Sequence, residues 1–388
     1  MRRVARLSPT VYVLGVASFL ADVASEMVFP LLPAFLSGTL RASKRALGVI
    51  EGVADATSSI TKVASGALTD RFRVRKPFVL IGYSLSSLGK PFIALASVWP
   101  TVLGLRFLDR LGKGVRTSPR DALIADVTAE GERGRAYGLH RSMDHAGAVV
   151  GPLVAAWLLS LPGVTVRHVI LLAAIPAALV VLVIAIGVRE PARHREPQER
   201  ISLRASWPKL GRQYKLLLVA VVVFALGNSN DIFLLQRLRD AGLTDSSVAL
   251  LWSLHHVVKM VATYWGGMIA DRYGSRRLIV LGWMAYSASY VAFGLATSTA
   301  VLVSVFLAYG LHFGLTEPAE KSLVSRFVGP ELRGTAFGWF HGAVGLAALP
   351  ASVLFGALWE AFGPAVSFFT GAGLALLAAV LLLRVRET

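Results

Sequence analysis

Residues 169–188, 278–296 and 365–383 contain no charged side chain. Each is about the length an α-helix needs to cross a bilayer, roughly 20 residues. Composition points the same way, because 55% of the 388 residues are hydrophobic and only 16% are charged. Soluble domains carry about a quarter charged residues. Twelve such spans can be drawn, at 10–36, 46–69, 77–97, 100–126, 135–160, 167–188, 214–236, 247–270, 277–296, 299–327, 334–359 and 363–384. The expected fold class is an all-α, polytopic membrane protein of twelve transmembrane helices.

The formal net charge of +17 would suggest nucleic acid in a soluble chain. Here the basic residues alternate between connections, as membrane topology requires. The N-terminus and even-numbered connections hold Arg71, Arg73, Arg75, Lys76, Arg133, Arg135, Arg272, Arg276, Arg277 and Arg333. The odd ones hold Arg167, Arg237, Arg239 and the exceptional cluster Arg41, Lys44 and Arg45. The expected partner is the lipid bilayer and not nucleic acid, with both termini in the cytoplasm and the protein in the inner (plasma) membrane. Arg2, Arg3 and Arg6 before an apolar stretch resemble a signal peptide, but Asp22 and Glu26 interrupt that stretch, so it reads as a retained first helix. The absence of cysteine excludes disulfides, thiol catalysis and thiolate metal sites.

The chain is also duplicated. Gly66-Ala67-Leu68-Thr69-Asp70-Arg71 opens a basic turn between two apolar runs, and Gly267-Met268-Ile269-Ala270-Asp271-Arg272 does the same 201 residues later. Arg133-Gly134-Arg135-Ala136-Tyr137-Gly138 is echoed by Arg333-Gly334-Thr335-Ala336-Phe337-Gly338, and Thr117-Ser118-Pro119 by Thr316-Glu317-Pro318. Glu26 falls opposite Asp231 when Phe19 is laid on Phe224. Two pseudo-symmetric six-helix bundles are expected, 1–188 and 214–388, joined by a polar cytoplasmic linker at 189–213. Parallel six-helix repeats with a site between them are a transporter architecture. The sixth, ninth and twelfth spans carry no charge within their ends and the third only Lys90, so these should face lipid, and the charged spans should face protein or water.

These motifs resemble the major facilitator superfamily over essentially the whole chain. Its signature loop is matched by Gly66, Leu68, Asp70, Arg71, Arg75 and Lys76, with Arg73 where the family has a glycine; the second copy keeps that glycine as Gly274. The fourth-helix pattern appears as Arg106-Phe107-Leu108-Asp109-Arg110-Leu111-Gly112-Lys113-Gly114. There Asp109 and Arg110 replace the usual Gln and Gly, a charged variant associated with a poorly characterised prokaryotic branch. Gly147, Gly151 and Pro152 match a fifth-helix pattern similar to that of drug:proton antiporters. The resemblance implies a twelve-helix rocker-switch transporter.

Candidate chemistry divides by position. Gly66 and Gly267 would allow close helix approach. Asp70 and Asp271 lie near enough to cap a neighbouring helix N-terminus. With Arg71, Arg272 and the family arginine Arg106, they form either a conformational latch or a topogenic turn. Asp22 and Glu26 share a face of the first helix and are candidate proton carriers, as are Asp231, Asp55, His255 and His256. For the carboxylates the alternative is structural ion pairing, such as Asp55 with Lys62; for the histidines it is an interhelical hydrogen bond. Arg116, Arg120 and Lys113 offer an excess of cations suited to an anion. With Asn228, Asn230 and Glu317 they are the candidate substrate ligands. No compact metal motif and no ATP-binding loop is present, and neither a nucleophile–base pair nor a cofactor motif is recognisable, so neither an enzyme nor a cofactor is expected. The expected function is a monomeric, proton-coupled secondary transporter, with antiport expected. It would move a small polar, anionic organic solute by alternating access, with efflux favoured. The alternatives are import of a siderophore, metal chelate or metal ion, or multidrug:proton antiport.

Overall fold

The computed structural model describes residues 7–32, 35–41, 44–191, 207–229 and 231–387. Asn230, most of the linker and the side chain of Asp55 lie outside the described residues. Among the described residues every regular element is helical. The first half contains α1 (Pro9–Val28), α2 (Lys44–Phe72), α3 (Lys76–Ile93), α4 (Trp99–Asp126), α5 (Arg133–Leu159), α6 (Val166–Leu172) and α7 (Ala174–Gly187). The second contains α8 (Arg212–Gly227), α9 (Ile232–Asp240), α10 (Asp245–Tyr273), α11 (Ser275–Leu295), α12 (Thr299–Arg326), α13 (Arg333–Phe362) and α14 (Pro364–Leu383).

Every predicted span is occupied by helix, the sixth shared by α6 and α7 and the seventh by α8 and α9. Among the described residues, seven of the spans are long and apolar enough to cross a membrane, those of α1, α5, α6–α7 and α11 to α14. The other spans depart for visible reasons. α2, α4 and α10 carry charges along their length, α3 holds the buried Lys90, and α8 stops at Gly227. Prolines in the first turns of α1, α3, α4 and α14 suit positions whose N–H would lack an intrahelical partner.

Contacts divide the chain into two compact units. One comprises residues 1–129, 143–207 and 330–342, the other 130–142, 208–329 and 343–388. Each unit is built on one half of the sequence and takes in the first turns of one helix from the other half. In the first, α2 and α3 pack on α4, and α1 and α3 on α7. In the second, α10 and α11 pack on α12, and α8 and α11 on α14. The two sets correspond helix for helix, as a duplicated sequence requires.

Glycine sets some of these approaches. A Cβ on Gly82 would lie 2.7 Å from the Gly112 carbonyl oxygen, and one on Gly112 2.6 Å from the Ser86 nitrogen, so α3 and α4 meet backbone to backbone. The helices expected to face lipid carry exposed apolar stripes, including Ile81 and Leu88 on α3, Leu182 and Ile186 on α7, Leu281 and Met284 on α11, and Val380 and Leu383 on α14. The opposite face of α11 buries Trp283, Tyr286 and Tyr290 completely.

The two duplicated turns need one residue in the left-handed region. Gly274 supplies it in the second copy at φ 92°, and Arg73 in the first at φ 56°. An L-residue with a Cβ is disfavoured there by about 1 kcal/mol or more. Arg73→Gly is therefore expected to raise stability by about 1 kcal/mol, read as a higher melting temperature in detergent; an unchanged or lower value would show that the Arg73 side chain compensates for the strain.

Candidate functional site

On α1, Asp22 and Glu26 lie one turn apart and are half-buried. The glycines of α5 sit directly on them. A Cβ at Gly151 would come 2.7 Å from Glu26 Cβ, and one at Gly147 2.9 Å from Asp22 Cβ. The fifth-helix glycine pattern and the first-helix acids, read separately in the sequence, are thus one packing unit. Ser18 on the same helix donates to Asp144 of α5. The cations acting on Glu26 are Lys113, Arg110 and Arg106, and Asp22 feels Asp144, Lys113 and Arg116.

The α4 charges resolve into local groups. Asp109 accepts from Ser86 at 2.5 Å and pairs with Lys90 at 3.0 Å and Arg106 at 3.3 Å. This explains how α3 buries a lysine. Arg106 is held by this pairing within the first unit. Arg120 pairs with Asp121 at 3.0 Å. Arg116 differs. Its guanidinium carbon stacks 3.9 Å over the Tyr83 ring, and its buried Nε has no partner among the described residues. Gly82 makes room for this stack, since its Cβ would strike Arg116 Cβ. A buried, unsatisfied guanidinium N–H is costly and is the group an anionic ligand would satisfy.

In the second unit the site forms where helix is interrupted. Asn228 ends α8 and Asp231 precedes α9. Asp231 accepts from the Tyr309 hydroxyl at 3.1 Å and pairs with Lys259 of α10 at 3.4 Å. The Lys259 ammonium also lies 3.7 Å over the Phe313 ring. Ser229 and the Tyr290 hydroxyl are 3.0 Å apart, and Tyr286 donates to the Gly227 carbonyl at 2.9 Å. His255 bonds the Phe306 carbonyl through Nδ1 at 3.0 Å, while its Nε2 has no hydrogen-bond partner among the described residues. His256 packs edge-on to Trp252 at 4.9 Å. Glu317 is held by Arg141 in a bidentate pair at 2.9 and 2.5 Å.

The tyrosines 286, 290 and 309 were not singled out from the sequence. A weak signal was available, since Tyr286 and Tyr290 recur at helical spacing in a span otherwise free of charge.

The two duplicated turns make matching contacts. Asp70 accepts from the backbone N–H groups of Gly334 at 3.1 Å and Thr335 at 2.5 Å, in the first turn of α13. Asp271 accepts from Gly134 at 2.8 Å and Arg135 at 2.7 Å, in the first turn of α5. A Cβ on Gly66 would collide with the Gly334 carbonyl, and one on Gly267 with that of Gly134. The expected capping and close approach are both present.

The arginines at these turns need correcting. Arg71 and Arg272 are exposed and lie over the neighbouring rings of Phe72 and Tyr273. The residue that engages the aspartate is the fully buried Arg75, 2.5 Å from Asp70 and 3.3 Å from Asp126. Burial alone would lower its pKa, but the two carboxylates hold it above the usual arginine value. Asp126 also pairs with Arg333 at 2.8 Å. In the second copy the corresponding Arg276 turns instead to the Val385 carbonyl at 2.6 Å, and Asp271 has Arg326 at 3.8 Å.

Further caps went unread in the sequence. Glu190 accepts from the N–H groups of Arg75 at 2.6 Å and Lys76 at 2.9 Å, at the start of α3. Glu387 accepts from Arg276 at the start of α11. The signal is a short repeat, Val188-Arg189-Glu190 and Val385-Arg386-Glu387.

Comparison with known proteins fits this architecture. The sequence model of the Major Facilitator Superfamily matches residues 14–235 and 216–388. An uncharacterised MFS-type transporter of Methanocaldococcus jannaschii is 30% identical, over 97% of this chain and 95% of that protein. The multidrug resistance protein MdtH of Photorhabdus laumondii is 27% identical, over 81% of this chain and 77% of its own length. Among solved structures, the human organic anion transporter MFSD10 superposes with a TM-score of 0.81 at 18% identity, covering 96% of this chain and 99% of its own.

The two capping aspartates are not energetically equal. Asp70→Asn leaves the buried Arg75 with one carboxylate instead of two, and losing one partner of a buried pair costs about 3 kcal/mol or more. Asp271→Asn removes a charged cap without a close ion pair, at about 1 kcal/mol. Thermal denaturation in detergent should show the larger drop for Asp70→Asn, and equal drops would contradict the difference.

Proposed function

Because the chain belongs to the major facilitator superfamily and is a multi-pass secondary transporter and not an enzyme, we propose that it exchanges protons for a small polar solute bearing an anionic group. Arg116 is the observation that carries this reading. Its guanidinium is stacked on Tyr83, buried, and short of a hydrogen-bond acceptor at Nε. A carboxylate or phosphate would supply the missing acceptor in the fork geometry that arginine favours. Lys113, on the same helix, adds positive charge, while Arg120 is engaged with Asp121. Asn228, at the helix interruption of the second unit, is that unit's own polar candidate.

Proton coupling is assigned to the carboxylates. Glu26 and Asp22 share one face of α1 against the α5 glycines, and Asp231 faces Lys259 across the interruption. Uptake of a proton by Asp231 would release Lys259, and uptake by Glu26 would leave the α4 cations to the solute. Each event changes the net charge of a buried group, which is the condition for linking protonation to a conformational equilibrium. Asp70 and Asp271 then serve as latches that hold helix N-termini in one state and release them in the other. The basic residues near both turns favour placing them, and both termini, at the cytoplasmic face of the inner membrane.

A second reading has its own support. The resemblance to MdtH proteins, together with the α5 glycines resting on α1, fits multidrug:proton antiport.

Purified protein in proteoliposomes with an imposed pH gradient tests the coupling. Candidate solutes are first selected by thermal shift among carboxylates, sugar phosphates, siderophores and cationic drugs. Transport of a selected anion should rise with the gradient, fall by about tenfold or more in Glu26→Gln, and lose its thermal shift in Arg116→Gln. Transport indifferent to the gradient and to Glu26→Gln would sink the coupling, and shifts from cationic drugs alone would favour the second reading.

A further inference from the structure

His341 lies just over two turns into α13, and its Nε2 is 2.8 Å from Asp121 Oδ2 of α4. The Asp121 carboxylate is fully buried and His341 is 14% exposed. The second carboxylate oxygen belongs to Arg120, at 3.0 Å. The residue 200 positions earlier in the repeat is Arg141. Arg141 lies on α5 and joins it to α12 through the bidentate pair with Glu317. The two units therefore hold matching ties, α13 to α4 and α5 to α12, a few turns from the capped helix starts. They differ in one property. A guanidinium stays charged at every pH a protein meets, whereas an imidazole changes charge between about pH 5 and pH 8.

We propose that His341, with Asp121 as its partner, is a further proton-bearing residue of the transport cycle. Protonated, His341 completes a charge-assisted bond that holds α13 on α4. Deprotonated, it keeps at most a hydrogen bond to the carboxylate and loses the ion pair, while the Arg141–Glu317 tie keeps its full strength. One tie is thus gated by the proton and the other is constant, so proton binding changes the balance between them.

The other charged groups around the site set its sign. From α4, the carboxylate of Asp121 and the guanidinium of Arg120 are the nearest charges. From α5, Asp144 acts on Arg120, as does Tyr83 from α3. α2 presents Lys62, whose carbonyl faces Gly338 one turn below His341. With His341 protonated, the single charge of Asp121 is shared between it and Arg120, on which Asp144 also acts. The proposal rests on the alternating-access reading above, and its test reads conformation and not transport.

The chain has no cysteine, so spin labels can be placed without removing any residue. Phe72→Cys at the end of α2 and Glu331→Cys in the turn before α13 are both exposed, and that turn packs against α2. Distance distributions are measured in nanodiscs at about pH 5.5 and about pH 8.5, with an expected change of about fivefold or more in the ratio of short to long distances. His341→Arg should hold the short distance at both pH values, and His341→Gln should give a ratio that no longer moves. Arg141→His, in the other tie, should leave the pH response of this label pair in place. A response that persists unchanged in His341→Arg and His341→Gln overturns the proposal. Two populations with a pH-independent ratio in the parent overturn it alone, and a single population under all conditions overturns it together with the alternating-access reading.

Discussion

A carboxylate accepting the free N–H groups of another helix is the contact on which both units are built. The first N–H groups of a helix have no intrahelical partner, and near a membrane they must be met by something other than bulk water. The connections here are very short, with α3 starting four residues after α2 ends. They leave little room for a local Ser or Thr cap, and Arg75 at the head of α3 makes no side-chain cap. The chain solves this at a distance. Asp70 caps α13, Asp271 caps α5, Glu190 caps α3 and Glu387 caps α11. A charged acceptor on backbone N–H groups is stronger than a neutral one and also faces the positive end of the helix dipole. The contact demands close approach, which is why glycine stands at 66, 134, 267 and 334 on both sides of it.

Once the caps are fixed, the surrounding side chains are free to diverge, and they have. At the end of α4 stands Asp126, and at the matching end of α12 stands Arg326. The reversal redistributes every partner. In the first unit Asp70, Asp126, Arg75 and Arg333 form a balanced set of two acids and two bases. In the second, Arg326 reaches Asp271 only at 3.8 Å, and Arg133 turns to the Ser325 carbonyl at 3.2 Å. The first turn can bear the strain of Arg73 at φ 56° because it sits in the more strongly paired network. The second dispenses with that network and uses glycine.

The twelve spans, the duplication and the capping role of Asp70 and Asp271 were legible because each depends on local pattern: apolar length, repeat spacing, and a carboxylate beside a glycine in a turn. Partner choice was not legible. Asp70 is followed by Arg71, Arg73, Arg75 and Lys76, and only Arg75 binds it, because the backbone turns at Arg73 and brings the later arginine back. The cations of α4 read as an excess over its acids, but rotation about the helix axis sends Arg106 and Arg120 to acids of their own helix and Arg116 to a tyrosine of α3. No period in the sequence encodes those rotations. The caps at Glu190 and Glu387 were hidden because they sit where an apolar run gives way to polar sequence, where a glutamate usually signifies solvent. The tyrosines of α11 were hidden by the uncharged character of their span, which suggested lipid on every side.

Charge placement in the two units follows different physics for the same requirement. A carrier must keep its buried charges compensated in each state it visits. The first unit meets this with many fixed pairs on α4, leaving Arg116 and the α1 acids as the groups whose compensation can change. The second uses fewer charges. One aspartate and one lysine stand at a helix interruption, and tyrosine hydroxyls and aromatic faces take up the remaining field. A tyrosine can donate to a carboxylate without bringing a charge, and a ring can hold an ammonium without bringing an acid. Loss of charge on Asp231 would therefore leave Lys259 over Phe313 and not in bare hydrocarbon. The aromatic setting thus makes protonation at that position tolerable, where on the paired acids of α4 it would unbalance a chain of ion pairs.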